Sequence, residues 1–394
     1  MSLPLSSFLP PFAPDYGGAS SVFFDYGGTI IINGASGCLS NCAGYDEPRY
    51  LTKRSVILSS GLRDVRAIFG DEDFLVETIP QLESLPKSNF LLLLSSPAAC
   101  VIGTDHSAVA SIVEENLDIP VFGIETMGIN SYDKGIAMAV KALADRYLFS
   151  FQAREKLEDK TIVPGKAAIL GMTPIDWWGR SNFDSVAESL ENAGLDLACI
   201  IGYGGTINDI EKLAECEYVF VANAALEKIA RKISSTFGCK LCFGLPAGEF
   251  YANNVYEFID DIKENSAPEG EKTSEILVIA EQIVANSYRL ALEKAFPSAH
   301  VTVATLFTLQ KKLARPGDIK IEYEDETMEL LRREVDVCVA DPLLLEFNKA
   351  ARCLVPLPHM AVSSRLTQDS KIQFAGEQAL EEFKACIEKS EVNV

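Results

Sequence analysis

The run Asn33-Gly34-Ala35-Ser36-Gly37-Cys38-Leu39-Ser40-Asn41-Cys42 sets two thiols four positions apart on a stretch of small residues. Small side chains let a backbone come close to a bulky inorganic group, and its N–H groups can hydrogen-bond cluster sulfides. Cysteine on such a loop is a candidate iron–sulfur ligand. Taken alone, the run reads better as a tight strand-to-helix turn with incidental cysteines. A further thiol, Cys100, follows an apolar run in Ser95-Ser96-Pro97-Ala98-Ala99-Cys100. Ligands of open α/β sheets collect outside the carboxyl ends of strands, so both cysteine loops can face one crevice.

Other groups carry weaker signals. Gly204, Gly205 and Thr206 lie in Gly202-Tyr203-Gly204-Gly205-Thr206-Ile207, where Ile207 takes the place of the third glycine of a dinucleotide loop. With Thr206 as cap the loop could bind an anion at a helix start, or serve as a plain turn. Arg180, after Asp176-Trp177-Trp178-Gly179, is a candidate clamp for a carboxylate or other anion, against the alternative of a surface ion pair. Cys239 and Cys242 have redox spacing but sit in an apolar run, as do Cys199, Cys338 and Cys353, and all read as core. No GxxxxGK[ST] motif is present, so any ATP-driven step has to come from a separate protein.

The elements that must position these groups are short β-branched runs alternating with helical periodicity, the pattern of βαβ units and parallel sheets. Strands are expected at Thr29–Asn33, Ser55–Leu58, Phe90–Ser95 and Pro120–Glu125, with helices at Asp105–Glu115 and Tyr132–Ala144. The charged stretch Gln152–Lys160 ends a first unit. A second carries strands at Ala167–Gly171, Leu195–Gly202 and Glu217–Val221, with a helix at Phe183–Ala193 closed by Gly194. The polar segment Asp261–Lys272 reads as a linker. A third unit has strands at Ile276–Ala280, Val301–Thr305 and Val335–Ala340, and helices at Ile283–Ala295 and Glu377–Lys389. The expected domains are residues 1–150, 151–268 and 269–394, each α/β with a mostly parallel sheet and Rossmann-like or flavodoxin-like in kind.

The 394 residues are too many for one hydrophobic core. A net charge of −21 argues against nucleic acid as partner, since a phosphate backbone needs clustered cations. No apolar run reaches the ~20 residues of a membrane span, and the apolar opening Met1–Pro14 lacks the basic start of a secretory signal. The expected location is cytoplasmic, where ten cysteines do not form a disulfide framework.

The order of several segments resembles the nitrogenase component-1 superfamily, which includes the dark-operative protochlorophyllide reductases. These are DYGGASSVFFDYGGTIIINGASGC, SSGLRDVRAIFGDEDFL, SSPAACVIGTDHSAV and PVFGIETMGI. Later come Ile169-Leu170-Gly171 with Asp176-Trp177 and Arg180, Gly204-Gly205-Thr206, Pro246-Ala247-Gly248, LARPGD and CLVPLPH. The resemblance implies three flavodoxin-like domains, a cluster cysteine at Cys38, and a cofactor-pocket histidine near His359. It departs where the family has further cluster cysteines: Pro14, with Asp15 beside it, and Pro97, with Cys100 three residues on. Asp15, Cys42 and Cys100 are then the candidate replacement ligands. Two copies of Cys38 and Cys42 across a dimer interface would also supply the four thiolates of a 4Fe–4S cluster.

By resemblance the chain would be an oxidoreductase subunit. It would accept low-potential electrons from an ATP-dependent iron–sulfur reductase, as a homodimer or with a paralogous chain. The neighbourhood of Tyr218–Val221 lacks the family's cofactor cysteine, which argues against an iron–molybdenum cofactor and against dinitrogen as substrate. Two alternatives remain: a non-catalytic subunit or cofactor-assembly scaffold of the same superfamily, and an enzyme using the cleft for a nucleotide.

Overall fold

The computed structural model describes residues 8–52, 54–267, 272–367 and 369–390. Three parallel sheets follow one another along the chain. The first has the order β2-β1-β3-β4, from β1 (Thr29–Asn33), β2 (Val56–Ser59), β3 (Leu91–Ser95) and β4 (Val121–Ile124). The second repeats that order as β6-β5-β7-β8, from β5 (Val163–Leu170), β6 (Asp196–Ile201), β7 (Cys216–Val221) and β8 (Lys240–Cys242). The third runs β11-β10-β9-β12-β13, from β9 (Ser274–Ile279), β10 (Ala299–Thr305), β11 (Ile319–Lys320), β12 (Val337–Ala340) and β13 (Cys353–Pro356).

Strands such as Thr-Ile-Ile-Ile-Asn and Leu-Leu-Leu-Leu-Ser are buried at every position, as a parallel sheet covered by helices on both faces requires. Every strand-to-strand pairing is parallel. In each sheet the strand order reverses beside the first strand, so the open crevice falls between β1 and β3, between β5 and β7, and between β9 and β12. One core cluster takes residues from all three sheets, among them Ile30, Leu92, Leu170, Val221, Leu277 and Ala340.

The glycine-rich segment after Pro14 is a buried helix, Asp15–Phe23, packed on the Tyr132–Ala144 helix. Glycine is needed at that crossing. A Cβ on Gly18 would lie 1.9 Å from the Tyr132 carbonyl oxygen, and one on Gly135 would lie 1.7 Å from the Asp15 carbonyl oxygen. The crossing brings Asp15 and Tyr132 to the sheet ends.

Two expectations need correction. The linker is shorter than Asp261–Lys272, because the Val255–Glu264 helix runs into it and Asn265 caps that helix at φ +47°. Residues 268–271 of that segment lie outside the described residues, as do residues 1–7 of the opening stretch. Cys353 is buried as expected, but it is also disulfide-bonded to Cys386 on the C-terminal helix Glu381–Ser390, with Cα atoms 6.5 Å apart. Among the described residues no helix is long and apolar enough to cross a membrane.

Candidate functional site

Cys38 lies not on an open loop but on a short helix, Ser36–Asn41, that leaves β1 at the first crevice. Gly34 admits no side chain there: a Cβ would lie 2.4 Å from Ser96 Oγ and 3.5 Å from Cys38 Sγ. Cys38 therefore stands over the end of β3. A hydrogen-bonded chain holds the start of this segment from below. Glu125 Oε2 meets His106 Nδ1 at 2.8 Å, and His106 Nε2 meets Asn33 Nδ2 at 3.1 Å. Ser60 Oγ donates to Asn33 Oδ1 at 2.7 Å and accepts the Gly34 N–H at 3.1 Å. The Asn33 amide is the donor at Nε2, so the His106 proton sits on Nδ1, facing the carboxylate.

The other candidate ligands do not gather around Cys38 in one set. Cys38 is partly exposed and Cys100 is exposed on the Pro97–Ile102 helix. Cys42 faces the interior, donating to Ser20 Oγ at 3.5 Å, and burial pushes its thiol well up, so it stays protonated. Asp15 is buried and its carboxylate is already shared among four donors. These are the N–H groups of Tyr16 (2.9 Å), Met127 (2.9 Å) and Gly128 (2.7 Å), and Asn130 Nδ2 (3.0 Å). Among the described residues no group of three or more His, Cys, Asp or Glu side chains is arranged to hold a metal ion. One chain's donors therefore do not fit a four-ligand iron–sulfur site.

His359 belongs to a second centre, where the three units meet. Tyr132 reaches it from the first unit, and Asp176 and Asn223 from beyond β5 and β7. His359 itself follows β13. The Tyr132 hydroxyl donates to Asp176 Oδ1 and lies 3.2 Å from His359 Nε2. Asn223 Nδ2 donates to Asp176 Oδ2 at 3.1 Å. His359 Nδ1 accepts the Ala361 N–H at 3.2 Å, which leaves the imidazole proton on Nε2. Phe307 stacks on the ring at 4.9 Å. Asp341 accepts the His359 N–H at 2.8 Å and the Ser363 hydroxyl at 2.8 Å.

Burial raises the Asp176 carboxyl above its ordinary range, opposed by the His359, Tyr132 and Asn223 hydrogen bonds. Glu281 is pushed up further, first by burial and then by the Asp176 charge. It accepts the N–H groups of Ala224, Ile283 and Val284. This junction is a packed polar knot at the ends of two sheets, and its side chains occupy the space around His359.

The remaining candidates are tied up locally. Arg180 is exposed and pairs with Asp184 at 3.2 Å. In the Gly204–Gly205–Thr206 loop the Gly204 N–H donates to Asp25 Oδ2 at 2.7 Å, so an internal carboxylate takes the anion's place. Thr206 caps the 3-10 helix Ile207–Glu215 with Asp209. Asp25 also pairs at 2.8 Å with Arg49, whose guanidinium grips Glu47 and donates to the Gly202 carbonyl at 3.2 Å. That ties the first unit to the second.

The sequence analysis flagged His359 but not Tyr132, Asn223, Glu281, Asp341 or His106. Three of the missed residues share a signal with His359. Asn223, Glu281 and Asp341 come one or two residues after a strand end, and His359 three after one, where ligand-facing polar groups stand.

Three parallel sheets with open strand ends and a polar knot between them define a doubly wound α/β protein. The family model for nitrogenase component 1 type oxidoreductases matches residues 14–296, and the chain belongs to that family. Among solved structures, one titled nitrogenase Cp1 at pH 6.5 superposes with a TM-score of 0.71 at 11% identity, covering 99% of this chain and 95% of that one. A second, nitrogenase Cp1 at pH 5, gives 0.65 at 13% identity, covering 97% and 89%. At such identities the likeness is one of fold. No curated protein matches by sequence.

Proposed function

We propose that this chain is one subunit of a nitrogenase-like, two-component oxidoreductase, and that its Cys38 face is completed by a second subunit. The observation that carries this reading is the surface around the thiol. The Glu125–His106–Asn33–Ser60 chain fixes Gly34 at the start of the segment that carries Cys38, and the Asp64–Phe69 and Pro97–Ile102 helices expose Val65, Ile68, Phe69 and Val101 to solvent. Phe69 is 84% and Val101 87% exposed, and their two helices touch. Ile129, in the loop whose Gly128 abuts Pro97, adds a further exposed side chain. A grouped apolar patch on a chain carrying −21 charges is characteristic of an interface.

With Cys42 turned inward, two copies of Cys38 and Cys42 do not make the four-thiolate set of an iron–sulfur cluster; a homodimer offers Cys38 and the exposed Cys100 of each copy, and a paralogous chain offers thiols of its own across that face. Low-potential electrons would come from a separate ATP-dependent iron–sulfur protein, since this chain has no phosphate loop of its own. The substrate is taken to be something other than dinitrogen, a reading supported by the side chains packed around His359. Sedimentation velocity of the chain, alone and with a paralogous partner, tests the interface. Assembly lost in Phe69→Asp supports it, and a monomer under both conditions sinks it.

A second reading has its own support. The inward-facing Cys42, the saturated Asp15 and the prolines at 14 and 97 are also what a cluster-free partner or assembly scaffold would carry. An assembly that forms yet takes up no iron favours that reading.

A further inference from the structure

Beside the Cys38 helix, a cavity of about 410 Å³ opens between the first unit and the segment following His359. Its walls are apolar, with Pro11 and Phe12 on one side and Val362 and Leu366 on the other. Two charged residues line it: Asp46 and Arg365. That volume falls within the range of small-molecule sites, which are typically apolar with a few placed polar groups.

Asp46 is the unusual member. It is only 7% exposed, and its Oδ2 is buried without a hydrogen-bond partner. Buried carboxylates are nearly always satisfied, because an unpaired one forfeits its hydration. Asp15, more deeply buried still, shows the usual case with four donors. Asp46 ends a π-helical turn, Cys42–Asp46, of the kind that recurs at functional sites. Across the cavity Ser364 holds a left-handed φ of +50° and donates its hydroxyl to the Tyr45 carbonyl at 3.1 Å, joining the two walls. At the rim the Arg365 guanidinium lies 5.9 Å from the centre of the Tyr45 ring. Among the described residues no carboxylate comes within ion-pair distance of it.

The geometry points to a binding site for a small amphipathic amine, its ammonium group on Asp46, its apolar body against Phe12 and Val362, and any carboxylate it carries on Arg365. Charge and shape both favour this class. An anion alone would meet Asp46, and a purely apolar guest would leave the carboxylate unpaired. Burial, and secondarily the Glu47 charge, raise the Asp46 carboxyl to about 7, and an arriving ammonium removes that penalty. The inference does not depend on the cluster or on the partner subunit.

Calorimetric titration of the full chain at pH 8 with phenethylamine, phenylalanine, 2-phenylethanol and 3-phenylpropionate tests it. Phenethylamine should bind at least tenfold more tightly than the alcohol or the acid. Asp46→Asn, folded by circular dichroism, should lose that preference. Arg365→Ala should keep phenethylamine binding and lose affinity for phenylalanine relative to it. Equal binding of amine and alcohol, no binding of the amine, or amine binding unchanged in Asp46→Asn would each overturn the assignment.

Discussion

The Tyr132 hydroxyl and His359 Nε2, on residues 227 positions apart, meet at 3.2 Å over the same Asp176 oxygen. Tyr132 brings the first unit to the knot, Asp176 the second and His359 the third, so the three units are held at one point. Removing the hydroxyl leaves the buried Asp176 with fewer donors. Tyr132→Phe should cost about 1–3 kcal/mol, read as a lowered urea midpoint. An unchanged midpoint would mean that the knot is decorative.

The contact between the first and second units gives a larger expected loss. Arg49 is nearly buried and neutralises Glu47 and Asp25, which together outweigh the effect of burial and hold its charge firmly. Arg49→Met leaves the buried Glu47 and the partly buried Asp25 without a counter-charge and should cost about 3–5 kcal/mol. Glu47→Gln in the same background should recover part of that loss, a coupling that a double-mutant cycle measures.

The Asp15–Phe23 and Tyr132–Ala144 helices cross through Gly18 and Gly135, where no Cβ fits. Gly135→Ala has to push the helices apart and should destabilise by about 1–3 kcal/mol or more. Gly37→Ala, where nothing lies within 4 Å of a built Cβ, is the matched control and should be near neutral.

Asp46 predicts a pH dependence with a definite sign. Its carboxyl rises from 3.8 in an open chain to about 7 in the fold, so between those values the native state holds a proton that the unfolded chain has released. Stability contributed by the protonated form is complete below pH 4 and is lost as pH climbs to 7, by at most about 4 kcal/mol. Glu47 is the facing charge. Tyr16 and Cys42, both pushed upward by burial, stay protonated throughout this window. Thermal melts of Asp46→Asn from pH 5 to 8 should show a flatter profile and a higher Tm than the parent at pH 8. An equally steep decline in the variant would locate the titration elsewhere.

Much of this architecture was legible in the chain. Thr29–Asn33 and Leu91–Ser95 announce themselves because strands buried on both faces must be apolar throughout. The Tyr132–Ala144 helix has the bounds its periodicity gives. The Asp15–Phe23 helix was hidden because its glycines, poor helix formers in isolation, are chosen for a close crossing.

The site was less legible than the fold. Cys38 and Cys42 are spaced to share a helical face, yet a π-helical turn begins at Cys42 and its thiol goes inward to Ser20. Spacing alone does not reveal a change of helical pitch. Nor does it reveal that Tyr132, Asp176, Asn223 and His359 converge, because contacts between separate sheets leave no local pattern.

Thiol labelling of the native protein checks the placement of the cysteines. Cys100 should react first and Cys38 more slowly, while Cys42, Cys199, Cys216, Cys239, Cys242 and Cys338 should wait for unfolding. Rapid native labelling of Cys42 would contradict the inward orientation.

The central claim is that the Cys38 face is a half-site completed by a second subunit. Anaerobic reconstitution with iron and sulfide, followed by mass and iron determination on the same fraction, tests it most directly. The expected result is a homodimer or heterodimer carrying on the order of four irons per pair, with Cys38→Ala retaining its fold and losing the iron. Iron bound stoichiometrically to a monomer, or unchanged by Cys38→Ala, would contradict it.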